Sequence, residues 1–182
     1  MANIKGKFIT MSCALLEWKP EAHDTAIKKI RQMTGKEWNQ LDPEGWYDTA
    51  VLQAVFQAVI DHDGPMLGAA SIKVMGRRVY PTIEKTVGLP KDLKTPLDWV
   101  KWEGNSFMLD HQGKDVVPRK FLNTELGHVI VEALSPGYDC TLIEGVYAGI
   151  LDICKIKNYK ITQTRCVKKG DPVCEYDISW KE

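Results

Sequence analysis

Apolar residues at Val51, Leu52, Val55, Phe56, Val59 and Ile60 recur every three or four positions, the spacing that lines one face of an α-helix. The stripe stops at Asp61-His62-Asp63-Gly64-Pro65, where glycine and proline both interrupt helical backbone. Ala26, Ile27 and Ile30 mark a shorter amphipathic helix over 24–32 that ends near Gly35. A helical run over 67–80 follows the Gly-Pro break. Thr95-Pro96-Leu97-Asp98-Trp99 then opens another helix, with proline in its favoured first turn.

Beyond Trp102 the pattern changes. The segments 107–110, 116–117 and 128–134 are separated by Gly104-Asn105 and Gln112-Gly113, which reads as an antiparallel sheet with short turns. After the loop Ser135-Pro136-Gly137-Tyr138-Asp139, helical spacing returns at Leu142, Ile143, Val146, Tyr147, Ile150 and Leu151. Gly145 and Gly149 lie four apart on that helix, where they let another backbone or a ligand come close. Near the C-terminus, Cys174, Tyr176, Ile178 and Trp180 alternate with Glu175, Asp177 and Ser179, a half-buried strand. It pairs with 159–165 across a reversal at Gly170-Asp171-Pro172. The order is α+β: a helical first half packed on an antiparallel sheet, a late helix and a C-terminal β-hairpin. With 182 residues and no linker-like tract, one domain over 1–182 is expected.

Charge narrows the partners. Twenty-four basic and twenty-four acidic side chains leave no net field to attract nucleic acid or an anionic membrane. No segment reaches membrane-spanning length. Lys5, Lys7 and the apolar run 8–16 imitate a signal peptide, but Glu17, Trp18, Lys19 and Pro20 follow without a small-residue cleavage site. Five cysteines, an odd number in a chain too long to need stapling, add to the expectation of a reducing, cytoplasmic setting.

Three of those cysteines are the main candidate chemistry. Cys166 and Cys174 flank the reversal, which brings two thiols close together, and Cys140 at the start of the late helix is the candidate to join them; they are read as metal ligands, as packed side chains or as a Cys166–Cys174 disulfide. Trp99, Trp102, Phe107, Phe121 and Tyr147 are candidates to line a cavity for a small hydrophobic molecule, the alternative being plain core. His128 heads the most apolar strand and is the candidate for an axial heme ligand or a pocket hydrogen bond; a core or edge histidine is the alternative. His23, His62 and His111 sit in polar or turn contexts and carry no assigned role. The acidic turn over 61–65 is too short for a calcium loop. Glycine-rich dinucleotide and phosphate loops, a nucleophile elbow and a Cys-x-x-Cys-His heme attachment site are all missing.

The run Cys140-Thr-Leu-Ile-Glu-Gly145-Val-Tyr-Ala-Gly149-Ile, followed by Thr164-Arg-Cys166-Val-Lys-Lys-Gly170-Asp-Pro-Val-Cys174-Glu-Tyr176, resembles the signature of the 4-vinyl reductase domain family. Lys5-Gly6-Lys7-Phe8, Gly45-Trp46-Tyr47 and Asp177-Ile-Ser-Trp180 resemble an uncharacterised bacterial branch built on the same plan. The resemblance implies an α/β ligand-binding fold shared with heme nitric-oxide-binding sensors and vesicle-tethering subunits, and a homodimer. In aromatic-responsive activators of this type the domain holds a hydrophobic effector and a structural zinc bound by three cysteines and a glutamate. That pattern carries over to Cys140, Cys166 and Cys174, whereas the glutamate position falls on Gln163. A neutral amide compensates the ion's charge less well, and strict strand alternation puts 163 and 166 on opposite faces unless a bulge or a twisted strand end intervenes.

Three functions follow from this reading. The first is a sensor or carrier domain for a hydrophobic or tetrapyrrole-like ligand, braced by zinc and passing its signal to a separate partner or through a dimer. The second is an enzyme acting on a porphyrin-like substrate with a donor supplied by another protein. The third is an interaction module like the tethering subunits.

Overall fold

The computed structural model describes residues 2–181. Strand β1 (Asn3–Lys5) leads into helix α1 (Gly6–Ala14), so the apolar run near the N-terminus is helical, with Ile9 and Cys13 buried. Helix α2 (Pro20–Thr34) buries Ala22, Ala26 and Ile30 and stops at Gly35, whose φ of 70° is the left-handed conformation that caps a helix without a Cβ penalty. Strand β2 (Trp46–Asp48) precedes α3 (Thr49–Asp63), where the Asp48 side chain caps the Ala50 amide and Val51, Leu52, Val55, Phe56 and Val59 face inward.

Helix α4 (Pro65–Thr86) starts directly at the Gly-Pro break and outruns the expected 67–80. Pro81 removes one helical hydrogen bond, yet the helix continues. Tyr80 beside it packs edge-on against Trp99 and Trp102 of α5 (Pro96–Asp110), with ring centroids 6.1 Å apart in both cases.

The expected strand over 107–110 is a correction: those residues are the last turn of α5. Thr95 and Asp98 form a reciprocal capping box, and the buried face Trp99, Val100, Glu103, Gly104 and Phe107 keeps helical period past the Gly-Asn pair that reads as a turn. Gly104 is needed for space, since a Cβ there would lie 2.9 Å from Cγ of Arg119. The expected strand at Val116-Val117 is loop, immediately before Pro118, which has no amide hydrogen to offer a ladder.

The remaining elements are β3 (His111–Gln112), β4 (Lys120–Glu125), β5 (His128–Ala133), α6 (Cys140–Ile153), β6 (Asn158–Arg165) and β7 (Cys174–Lys181). They make two antiparallel sheets, a small one in the order β2-β1-β3 and a larger one in the order β4-β5-β7-β6. Val129, Val131, Tyr176 and Ile178 point from the larger sheet into the core, and Tyr147 of α6 meets Tyr176 edge-on at 5.4 Å. The alternation read in the last strand is the observed one, buried at Cys174, Tyr176, Ile178 and Trp180.

Helices α4 and α6 touch backbone to backbone. A Cβ on Gly76 would overlap the Leu142 carbonyl oxygen, one on Gly145 would overlap that of Lys73, and one on Gly149 would lie 2.5 Å from that of Arg77. At the edges of this contact Lys73 pairs with Glu144, and Arg77 grips both carboxylate oxygens of Asp152 at 2.6 and 2.9 Å. Gly145→Val has nowhere to put its side chain without driving the helices apart. Overpacking of this kind costs roughly 1–3 kcal/mol or more. The thermal midpoint followed by circular dichroism should fall by roughly 5–10 °C, and an unchanged midpoint would contradict the contact.

Candidate ligand cavity and thiol cluster

A cavity of about 780 Å³ lies between α1, α4, α5 and α6. Phe8 and Met11 of α1, Val79 and Ile83 of α4, Trp102 and Phe107 of α5, and Leu142, Ile143 and Val146 of α6 make most of its wall. Exposed Asn39, Val87 and Leu109 mark its mouth. Its size suits a small organic molecule.

Of the six residues expected at the pocket, the wall takes Trp102 and Phe107. Trp99 stands behind Trp102, edge-on at 5.7 Å. Phe121 abuts Gly104 on the sheet side of α5, and Tyr147 is fully buried against Tyr176. These three pack as core. His128 lies on the other face of the sheet, in a shallow groove with Lys160, Thr162, Asp177 and Ser179. It follows from strand parity: Val129 points in, so His128 points out. Its ring is held by Asp177 and Asn123, each at 3.0 Å.

The polar end of the cavity is built from residues with no role in the sequence reading. Arg119, its side chain 1% exposed, pairs with Glu103 through Nη2 at 3.0 Å and Nε at 3.4 Å. Its Nη1 donates to Ser135 Oγ at 2.7 Å and to the Leu134 carbonyl at 3.4 Å. Burial works against the guanidinium charge, but Glu103 more than restores it and holds the group above its ordinary range. Phe107 lies under this guanidinium at 3.9 Å and stacks on His111 at 3.9 Å, so the two planar groups take its two faces. One signal for the pair was present in the chain, since Glu103 interrupts the apolar row Trp99, Glu103, Phe107 at four-residue spacing.

His111 lines the same end. Its Nδ1 lies 2.7 Å from the Phe107 carbonyl oxygen, which can only accept, so Nδ1 carries the hydrogen and Nε2 accepts from the Tyr138 hydroxyl at 3.1 Å. Burial lowers the ring's pKa to about 4, so it is neutral near pH 7.

The cysteines do come together. The ligand atoms of Cys140, Cys166 and Cys174 all lie within 4.8 Å of one another, and the sulfurs of Cys140 and Cys174 are 3.2 Å apart. Two thiolates on one tetrahedral zinc would sit roughly 3.8 Å apart, so the cluster is compact enough for an ion. Asp139 caps α6 by accepting from the Thr141 amide, which sets Cys140 at the helix start. Asp171 accepts from the Cys166 amide at 2.8 Å, and Gly170 turns with φ 95°, folding the hairpin so that Cys166 returns beside Cys174. Their shared hydrogen bond lowers the Cys174 thiol below its ordinary range and, with burial, pushes Cys140 up.

Gln163 stands opposite Tyr176, two residues along from Cys174 on the inward face of the hairpin. Its Nε2 is buried with no hydrogen-bond partner, and the register slips between Gln163 and Arg165. That slip is the bulge which lets 163 and 166 share a side.

The buried neutral His111 makes stability depend on acid. An unfolded imidazole binds its proton near pH 6.5 and the folded one only near 4, so the unfolded chain holds more protons between these values. Stability contributed by the neutral ring is complete above pH 6.5 and is lost as pH falls toward 4. Urea unfolding should show a loss of roughly 2 kcal/mol from this ring between pH 7 and pH 5. His111→Gln should flatten that part of the profile, and an identical slope would remove His111 as its source.

No protein-family model matches this sequence, and no curated protein matches it. Solved structures do. The chain is similar to an H-NOX protein from K. algicida in its Fe(II) unliganded form, with TM-score 0.73, 14% identity and coverage of 98% of this chain and 97% of that one. A mutant of T. Tengcongensis H-NOX gives TM-score 0.70 at 15% identity, covering 98% of each chain. An H-NOX protein from S. oneidensis in the Fe(II)NO ligation state gives 0.67 at 14% identity, covering 98% of this chain and 100% of that one. At these identities the likeness is one of fold: the chain adopts the H-NOX fold, an α+β architecture with two antiparallel sheets.

Proposed function

We propose that this protein is a small-molecule-binding sensor or carrier domain, with the cavity as its ligand site and the thiol cluster as a structural zinc site. The observation that carries the reading is the apolar cavity of about 780 Å³ between α1, α4, α5 and α6. The H-NOX fold supports it, since relatives of that fold are described by heme distortion and heme redox potential. Turnover finds less support, because the titratable groups at the cavity are matched to one another: Arg119 to Glu103, Lys7 to Asp110, His111 to Tyr138.

Zinc fits the cluster chemically. Cys140, Cys166 and Cys174 supply three sulfurs, and an amide has its oxygen and nitrogen in interchangeable positions, so Gln163 turned over would offer an oxygen where a buried nitrogen now lacks a partner. The ion would tie the hairpin to the start of α6, three residues before the cavity wall at Ile143. It is a structural ion in this reading, with no open position for chemistry. The membership in the 4-vinyl reductase family, the homodimer and a separate signalling partner rest on the resemblance of the cysteine-bearing segments. No helix among the described residues is long and apolar enough to cross a membrane.

Native mass spectrometry of purified protein should show a single zinc per chain, with Cys166→Ser removing it and lowering the thermal midpoint by roughly 5 °C or more. Retention of the metal by Cys166→Ser would defeat the assignment. Gln163→Glu adds a charged oxygen ligand and should slow the loss of zinc to a chelator. Faster loss would mean that residue 163 does not reach the ion.

A further inference from the structure

We propose that the cavity takes an uncharged, metal-free, predominantly apolar molecule and does not hold an iron porphyrin through a protein ligand. The inference rests on the ligand-binding reading of the same cavity and asks what chemistry its wall will accept.

Iron held in a porphyrin needs a protein atom with a free lone pair aimed at the metal, most often from histidine, cysteine, methionine or tyrosine. His111 is the one imidazole on the wall, and both of its nitrogens are spent, on the Phe107 carbonyl and the Tyr138 hydroxyl. Its ring is also clamped flat on Phe107, with an interplanar angle of 19°. Freeing Nε2 would leave the Tyr138 hydroxyl without its acceptor in the interior. His128 is on the opposite face of the sheet, and no cysteine lines the cavity. Lys7 at the mouth is matched by Asp110 at 2.8 Å and Glu44 at 3.5 Å. Two tyrosines line the wall, but the Tyr138 hydroxyl is taken by His111, and burial pushes both it and the Tyr80 hydroxyl well above the ordinary phenol range, so neither offers the phenolate that iron takes. Among the described residues Met11 remains, a thioether of the kind that ligates heme in partnership with histidine.

Charge balance sets the rest of the selection. Arg119 and Glu103 neutralise each other at the inner end, and Ser135 and the Leu134 carbonyl take up further guanidinium donors. An anionic group arriving there meets a carboxylate and no unmatched cation; a cationic group meets the guanidinium. Either would be buried uncompensated, which is costly. A neutral molecule pays no such cost, and the apolar wall rewards it.

The test uses the full chain and a neutral fluorescent probe, N-phenylnaphthylamine. The probe should bind, and Val79→Trp, which fills the cavity from α4, should abolish binding while leaving the circular dichroism spectrum intact. Dodecanol should displace the probe at a concentration at least about tenfold lower than dodecanoate. Glu103→Gln leaves Arg119 unmatched and should shrink or reverse that preference. Should this variant fail to fold, the wild-type preference and the hemin titration decide alone. Added hemin should give no sharp Soret band of an axially ligated iron. Displacement by dodecanoate as effective as by dodecanol would overturn the charge argument, and a sharp Soret band lost in His111→Ala would overturn the metal-free argument. Both of those results leave a ligand-binding cavity standing. No probe binding, or binding unaltered by Val79→Trp, would instead remove the cavity as a ligand site.

Discussion

The glycine contact between α4 and α6 is the constraint on which the rest of this molecule hangs. Gly76, Gly145 and Gly149 bring two helical backbones so close that any side chain would collide with a carbonyl oxygen. Each glycine weakens its own helix relative to alanine, so the contact must return more than it costs. What it returns is position. Fixed against α4, helix α6 presents Leu142, Ile143 and Val146 to the cavity, Tyr147 to the sheet and Cys140 to the hairpin. One helix therefore carries parts of both candidate sites, and a shift in its axis would be felt at each.

The second organising feature is electrostatic. Burying Arg119 and Glu103 side by side is stable only while both are present, because removing either leaves an uncompensated charge at a cost of about 3–5 kcal/mol. Phe107, pressed between guanidinium and imidazole, ties that pair to His111 and through it to Tyr138. The inner end of the cavity is thus polar and neutral as a unit. Here fold and chemistry part company: about 14% identity preserves the H-NOX architecture while leaving each wall residue free to differ.

The thiol cluster stands apart from this polar network yet shares α6 with the cavity wall. Sulfurs from the helix start and from both arms of the hairpin converge, and the Tyr176 hydroxyl bonds the Cys140 carbonyl at 2.9 Å to pin the same corner. Three sulfurs therefore share this corner, and the same hairpin carries at Gln163 a buried amide nitrogen without a hydrogen-bond partner among the described residues.

Much of this was legible in local pattern. The stripe from Val51 to Ile60, the alternation from Cys174 to Trp180, the Gly-Asp-Pro reversal and the proximity of Cys166 and Cys174 across it follow from period and turn chemistry, which act over a few residues, whereas Cys140 as their partner in a metal set and the place of Gln163 beside them came with the family resemblance. Where the outcome depended on distant partners, local pattern pointed elsewhere. Gly104-Asn105 resembles a turn, but Arg119 needs the space of a missing side chain there and Phe107 continues the buried face, so α5 runs on through the expected strand. His128 heads an apolar strand, yet parity from Val129 turns it to solvent, while His111, from a polar stretch, is drawn inside by Phe107 and Tyr138. The cavity exists only as the space left between four helices, and no single segment encodes a space. Periodicity along the chain decided which side of each element is apolar; the packing of elements far apart in sequence decided which of those sides close on one another and which enclose a void.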